Sequence, residues 1–203
     1  LRDHTRYLIR DETEPSCREE AFLLLPRAPA EEGEWRKRLP GAVVFHATSN
    51  NHILQPVGLA DAPTRHLGLH LLRRGFVVLC PRCYIYGYRE DSWPCDGWIR
   101  PRGACDFASA TQRLLRDRPG WTGMGKMLWD GIRGVDFLAS HPAVDGHRIV
   151  ALGHSLGAKE ALYLGAFDER VCVAVASEGG VGIAQSNWDA PWYLGPDIRD
   201  RPD

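Results

Sequence analysis

Five residues in the second half of the chain, Gly153-His154-Ser155-Leu156-Gly157, set a hydroxyl between glycines at a spacing suited to nucleophilic chemistry. The apolar run Ile149-Val150-Ala151-Leu152 leads in, and an Ala- and Leu-rich run over 156–167 leads out. Together they predict a buried strand, a tight turn at Ser155 and a helix. A serine at such a turn sits in strained backbone, and the glycines let strand and helix approach closely. The N–H of Leu156, behind which the new helix begins, faces any oxygen that turns negative beside Ser155. A serine-capped helix start is the plain alternative for five residues alone, but the strand before and the helix after favour the nucleophile.

A nucleophilic serine needs an acid, a base and a second oxyanion donor. The apolar run Gly41-Ala42-Val43-Val44-Phe45-His46 ends in the polar Ala47-Thr48-Ser49, which puts the Thr48 N–H at the C-terminal edge of an earlier strand, where the second donor belongs. Glu178 follows the strand after the serine turn and is the candidate acid, while Asp189, Asp197 and Asp200 are loop acids with weaker claims. A turn-capping role for Glu178, with the acid one strand later, is the competing reading. All eight histidines (4, 46, 52, 66, 70, 141, 147 and 154) precede Ser155, whereas in this strand-turn-helix arrangement the base follows the nucleophile. Trp188 and Trp192, with Tyr193 and the aromatics of the 84–98 stretch, are candidates to line a substrate pocket or to serve as ordinary core and loop residues.

Positioning these groups requires an α/β layer fold with a mostly parallel sheet. Tyr7–Ile9 and Ala21–Leu25 read as early strands around a charged turn over 10–20, and 28–40 reads as a surface loop. A helix over 64–74 stops at Gly75 before the strand Phe76–Cys80. Residues 81–119 are rich in Gly, Pro and aromatics, too long for a simple connector and expected to be functional or partly helical. Met124, Met127, Leu128, Ile132, Val135 and Leu138 recur at steps of three and four, predicting a helix over 123–140 with one face on the sheet. A turn over 144–147, the strand Arg148–Leu152 and a last strand over 171–176 complete the pattern.

With 203 residues, 44% of them hydrophobic and 25% charged, the chain reads as one domain over 1–203, with N-terminal strands and loop over 1–40 and a catalytic core over 41–195. The formal charge of -1 and the scattered arginines point to no nucleic acid or anionic membrane as partner, and no apolar run approaches the roughly 20 residues of a membrane span. Compartment and oligomeric state stay open. Of six cysteines, four crowd between 80 and 105, where one bridge is conceivable in an exported protein. Cys80-Pro81-Arg82-Cys83 has redox or half-zinc spacing without a second pair, and reads as a strand end entering a turn; no metal is expected. His66 and His70, four apart, read as surface or packing residues.

On these residues the chain resembles the α/β-hydrolase superfamily, in its branch of dienelactone hydrolases, acetyl xylan esterases and glucuronoyl esterases. The similarity runs over about 41–195 and rests on Val43 to Thr48, Gly75 to Pro81, Gly123 to Asp130, Gly153 to Leu164, Phe167 to Val171, Ser177 to Gly180 and Ser186 to Gly195. It implies an α/β-hydrolase fold, a mostly parallel sheet with helices on both faces, and a triad with Ser155 as nucleophile and oxyanion donors at Leu156 and Thr48. The acid after the strand that follows the serine turn, as in glucuronoyl esterases, supports Glu178; acetyl xylan esterases carry it one strand later. The resemblance further implies that the last strands and the histidine-bearing loop lie beyond Asp203. The expected function is cofactor-free hydrolysis of a carboxylic ester, a small molecule or an acylated sugar, through an acyl-enzyme. The alternatives are a serine peptidase of the prolyl-oligopeptidase type and a non-catalytic binding domain without a catalytic histidine.

Overall fold

The computed structural model describes residues 4–15, 17–27, 37–49, 51–86, 107–180 and 182–200. Six strands form one sheet: β1 (His4–Glu14), β2 (Cys17–Pro26), β3 (Leu39–Phe45), β4 (Val77–Pro81), β5 (Val144–His154) and β6 (Val171–Ser177). Their spatial order is β1-β2-β4-β3-β5-β6, with β1, β2 and β4 antiparallel in succession and β4, β3, β5 and β6 parallel.

Alternation along β3 shows how the sheet is covered on both faces. Val43 and Phe45 point into a core with Val135, Leu138, Ala161 and Leu164, which belong to the helices α3 (Gly123–Ser140) and α4 (Leu156–Phe167). Ala42 and Val44 point the other way, against Leu69 and Leu72 of α1 (Leu67–Leu72) and against Ile53 and Val57. Strands buried on both faces must be apolar along their whole length, which is why β3 and β4 read as continuous runs rather than alternating ones. A third cluster joins α2 (Phe107–Asp117), α3 and α4 through Leu114, Met124, Met127, Leu156, Trp188 and Tyr193.

The structure corrects two boundaries. The charged segment 10–20, expected as a turn, is mostly strand, because its charges pair across the ladder: Arg10 Nε lies 3.0 Å from Glu20 Oε1, and Lys126 Nζ lies 3.0 Å from Glu14 Oε2. The expected turn at 144–147 belongs to β5: Val144 and Asp145 pair with Leu39 and Pro40 before the register shifts and resumes at Ile149 opposite Gly41. Within the long 81–119 stretch the structure gives a short 3-10 turn over Tyr84–Tyr86 and the helix α2, while residues 87–106 lie outside the described residues.

At the parallel edge, β6 pairs only with β5 among the described residues, and Val173 and Val175 are 51% and 46% exposed. No described helix is long and apolar enough to cross a membrane.

Candidate active site

Ser155 stands between β5 and α4 with φ 56° and ψ −115°. A non-glycine residue at positive φ is held there only when its surroundings over-determine it, at a cost of roughly 1–3 kcal/mol. Two constraints do so. The Ser155 N–H donates to the Ser177 carbonyl at 2.8 Å, carrying the β5–β6 ladder into the turn, and the Ser155 carbonyl accepts the Ala158 N–H at 3.0 Å to open the helix. The glycines then allow the close approach: a Cβ on Gly153 would overlap the Gly157 carbonyl, and one on Gly157 would lie 2.6 Å from the Phe45 carbonyl oxygen and 2.7 Å from that of His46. The first turn of α4 thus lies directly on the C-terminal end of β3. Thr48 is exposed just beyond that end, and Leu156, whose side chain is buried beside Met124 and Trp188, is the first residue of the helix, where N–H groups have no intrahelical acceptor.

Glu178 ends β6 at φ 59°, one residue past Ser177, which pairs with His154 in the parallel register. Its side chain is 78% exposed, and the nearest basic group is His154, whose Nε2 lies 3.6 Å from Glu178 Oε2 while Nδ1 lies 3.3 Å from Ser177 Oγ. Among the described residues no histidine is hydrogen-bonded to the Ser155 hydroxyl. His46, at the end of β3, is fixed otherwise. Its Nδ1–H donates to the Ala47 carbonyl at 2.8 Å, and its Nε2 accepts the Cys83 N–H at 3.1 Å, so both nitrogens are committed and the ring is neutral. Burial pushes its pKa down to about 4. His52 is also buried and pushed down to about 3, and it packs with His46 and Tyr86, whose hydroxyl accepts the Ser49 N–H at 2.9 Å. This knot shapes the loop that carries Thr48.

The loop after Glu178 is latched to α4 by a residue the sequence reading passed over. Lys159, one helical turn after Ser155, is 4% exposed. Its ammonium donates to the Gly179 carbonyl and, at 2.8 Å, to Ser186 Oγ, and lies 4.1 Å above the Trp188 ring and 5.4 Å from that of Tyr193. Burial lowers its pKa. Trp188 is 1% exposed and its Nε1 donates to the Gly180 carbonyl at 2.7 Å. Trp188 was expected at a substrate pocket; it is instead an enclosed core residue under Lys159, and holds the loop. Trp192 is half-buried, with its ring 4.8 Å from Phe107 and its carbonyl accepting the Tyr84 hydroxyl at 3.3 Å. Asp189 is ion-paired with Arg199. Tyr88, Trp93 and Trp98 lie outside the described residues.

Cys80 and Cys83 are both buried and unbridged, and burial raises both thiol pKa values, the opposite of what redox chemistry or metal binding asks. Cys95 and Cys105 lie outside the described residues. His66 and His70 are turned to backbone, their Nε2 atoms 2.7 Å from the Ala60 carbonyl and 3.2 Å from that of Pro63. Among the described residues no group of three or more His, Cys, Asp or Glu side chains is gathered as a metal site.

Comparison with solved structures places this geometry. A protein from Bacteroides fragilis provisionally named an acetyl xylan esterase superposes with a TM-score of 0.66 at 16% identity, over 84% of this chain and 44% of its own. The chain has the α/β-hydrolase fold. A provisionally named dienelactone hydrolase from Klebsiella pneumoniae gives 0.54 at 16% identity, over 85% of this chain and 59% of its own. A cold-adapted esterase from an Arctic intertidal metagenomic library gives 0.52 at 16%, over 84% and 59%. The chain therefore spans about half the length of these α/β-hydrolase structures. No protein-family profile matches the sequence, and no curated protein sequence matches it.

Proposed function

We propose that this α/β-hydrolase chain forms the nucleophile-bearing part of a serine hydrolase that cleaves a carboxylic ester. The observation that carries the reading is the backbone of Ser155, at φ 56° and ψ −115° between β5 and α4, with Gly153 and Gly157 at contacts that no side chain could share. Esterases and hydrolases among the structural neighbours support it.

In this reading the Ser155 hydroxyl attacks the ester carbonyl, a histidine takes its proton, and the alcohol leaves from an acyl-enzyme that water then cleaves. The Leu156 and Thr48 N–H groups receive the developing oxyanion, each donor lowering the barrier by about 3–4 kcal/mol. Glu178 orients the histidine and stabilises its cation, and its exposure leaves it open to a partner from outside the described residues. The base comes from outside residues 1–203. Trp192, half-buried between Phe107 and the start of α3, lines the substrate side, which fits a small ester or an acylated sugar. No cofactor takes part.

A burst experiment tests this. Excess p-nitrophenyl acetate should release one equivalent of p-nitrophenol per active site before steady turnover, and Ser155→Ala should abolish the burst. A burst that persists in Ser155→Ala removes Ser155 from the chemistry. The lack of a bonded histidine among the described residues favours one rival, a non-catalytic binding domain, which gives no burst even when longer polypeptide is supplied.

A further inference from the structure

Away from Ser155, between β1, β2, β4 and α3, lies a cavity of about 360 Å³, open space at its mouth included. None of its lining residues belongs to the candidate active site. Its wall is mostly apolar, with Ile9, Ala21, Leu79 and Phe137, but two carboxylates also line it, Glu19 and Asp130.

The carboxylates are short of positive charge. Lys126, fully buried, donates to Thr13 Oγ1 at 3.2 Å, Glu14 Oε2 at 3.0 Å and Asp130 Oδ1 at 2.6 Å, which uses its three protons. It lies 3.8 Å from Glu19 Oε1, too far to bond it. Neither oxygen of Glu19 has a hydrogen-bond partner, nor has Asp130 Oδ2, although the two side chains are only 5% and 7% exposed. Three carboxylates thus share one ammonium. The other charged groups around them are committed or add negative charge. Arg82, following β4, pairs with Glu20 of β2, and Arg133 of α3 donates to Asp136 at 2.6 Å. Cys17 of β2 faces the cluster as a thiol whose pKa burial raises, and Glu160 of α4 adds a further buried carboxyl.

Buried carboxylates in excess of their cations must take up protons or a mobile cation. We propose that the cavity binds a small protonated primary amine, its ammonium against Glu19 and the open oxygen of Asp130 and its alkyl chain against Ile9, Ala21, Leu79 and Phe137. An alkylammonium ion fits this wall because it carries donors at one end and apolar surface at the other. Consistently, burial raises the pKa of both carboxyls, so the empty cavity holds protons that an arriving ammonium would displace.

The test is titration of the wild-type protein with n-butylammonium chloride at about pH 8, below the amine's own pKa of about 10, followed by calorimetry and by methyl NMR of Ile9, Ala21 and Leu79. Sodium chloride and n-butanol serve as controls. Saturable binding is expected, with shifts centred on those methyls and n-butanol at least tenfold weaker. Affinity should fall as the pH is lowered to about 6, by up to tenfold per unit, with proton release visible as buffer-dependent heat. Glu19→Gln should weaken binding at least tenfold. Where that variant fails to fold, Ala21→Leu keeps every charge but occupies the alkyl space, and should weaken binding equally. The proposal is overturned if butylammonium does not saturate, if n-butanol binds as well, if the shifts fall elsewhere, or if a folded variant binds like wild type.

Discussion

Gly157→Ala separates the geometry of the serine turn from general stability. The added methyl would lie 2.6 Å from the Phe45 carbonyl oxygen, about 0.8 Å inside the 3.4 Å at which ordinary contact begins. Both neighbours are backbone, so the clash can be relieved only by moving α4 off the end of β3. Overpacking of this kind costs about 1–3 kcal/mol, and alanine returns about 1 kcal/mol in helix propensity. The net loss is at most about 2 kcal/mol, or a fall in Tm of up to about 8 °C at this chain length. Chemistry should suffer more, since a displacement near 1 Å at reacting groups costs on the order of 100-fold. The assay is the rate of fluorophosphonate labelling at Ser155, beside thermal unfolding. Gly165→Ala is the control: its methyl would lie 2.5 Å from Ala174 Cβ, a comparable clash in the same helix but two turns further on. Both variants should lose stability, and only Gly157→Ala should lose labelling. If Gly157→Ala labels within twofold of wild type, the contact of α4 with β3 does not set up the nucleophile.

Three further outcomes follow from the same contacts. Lys159→Met keeps the stem over Trp188 but removes the ammonium from Gly179 and Ser186, so stability should fall by about 1–3 kcal/mol and amide exchange should rise over 179–188, with α1 unaffected; uniform exchange across the chain would contradict the latch. His46, neutral in the fold with a pKa near 4, leaves stability whole above about pH 6.5; as pH falls from there to about 4 the unfolded chain gains a proton the fold refuses, costing up to about 3 kcal/mol. Urea midpoints across that window should show the loss, and His46→Gln should flatten that share of the slope; an unchanged slope refutes the assignment. Isolated 1–203 should self-associate through the open apolar edge at β6, and Val173→Lys with Val175→Lys should shift sedimentation toward monomer; a monomeric wild type would remove this expectation.

The serine turn was legible because its cause is local: a glycine two residues on either side of Ser155 and an apolar run before it leave one economical geometry. The central strands and α3 were legible for the same reason, through unbroken apolar runs and a helical repeat. What could not be read depended on partners distant in sequence. The charges of 10–20 look like a turn until Lys126, more than a hundred residues on, is seen to bury them as strand. Lys159 has the sequence signature of a helix surface residue, and only the return of 179–193 over it makes it a buried latch and turns Trp188 from a pocket candidate into its cover. His46 looked like a stray base, and its true partners, Ala47 and Cys83, are backbone groups that carry no signal in side-chain type.

The central claim is that Ser155 is an activated nucleophile, and intact-mass labelling with a fluorophosphonate tests it most directly. The measurement is made on residues 1–203 and on a longer polypeptide that continues beyond Asp203, each beside Ser155→Ala. One adduct on the longer polypeptide, mapped to Ser155 and absent from Ser155→Ala, with slow or no labelling of 1–203 alone, is the predicted result. A folded longer polypeptide that stays unlabelled, or an adduct that survives Ser155→Ala, would contradict the hydrolase reading and leave the binding-domain reading in its place.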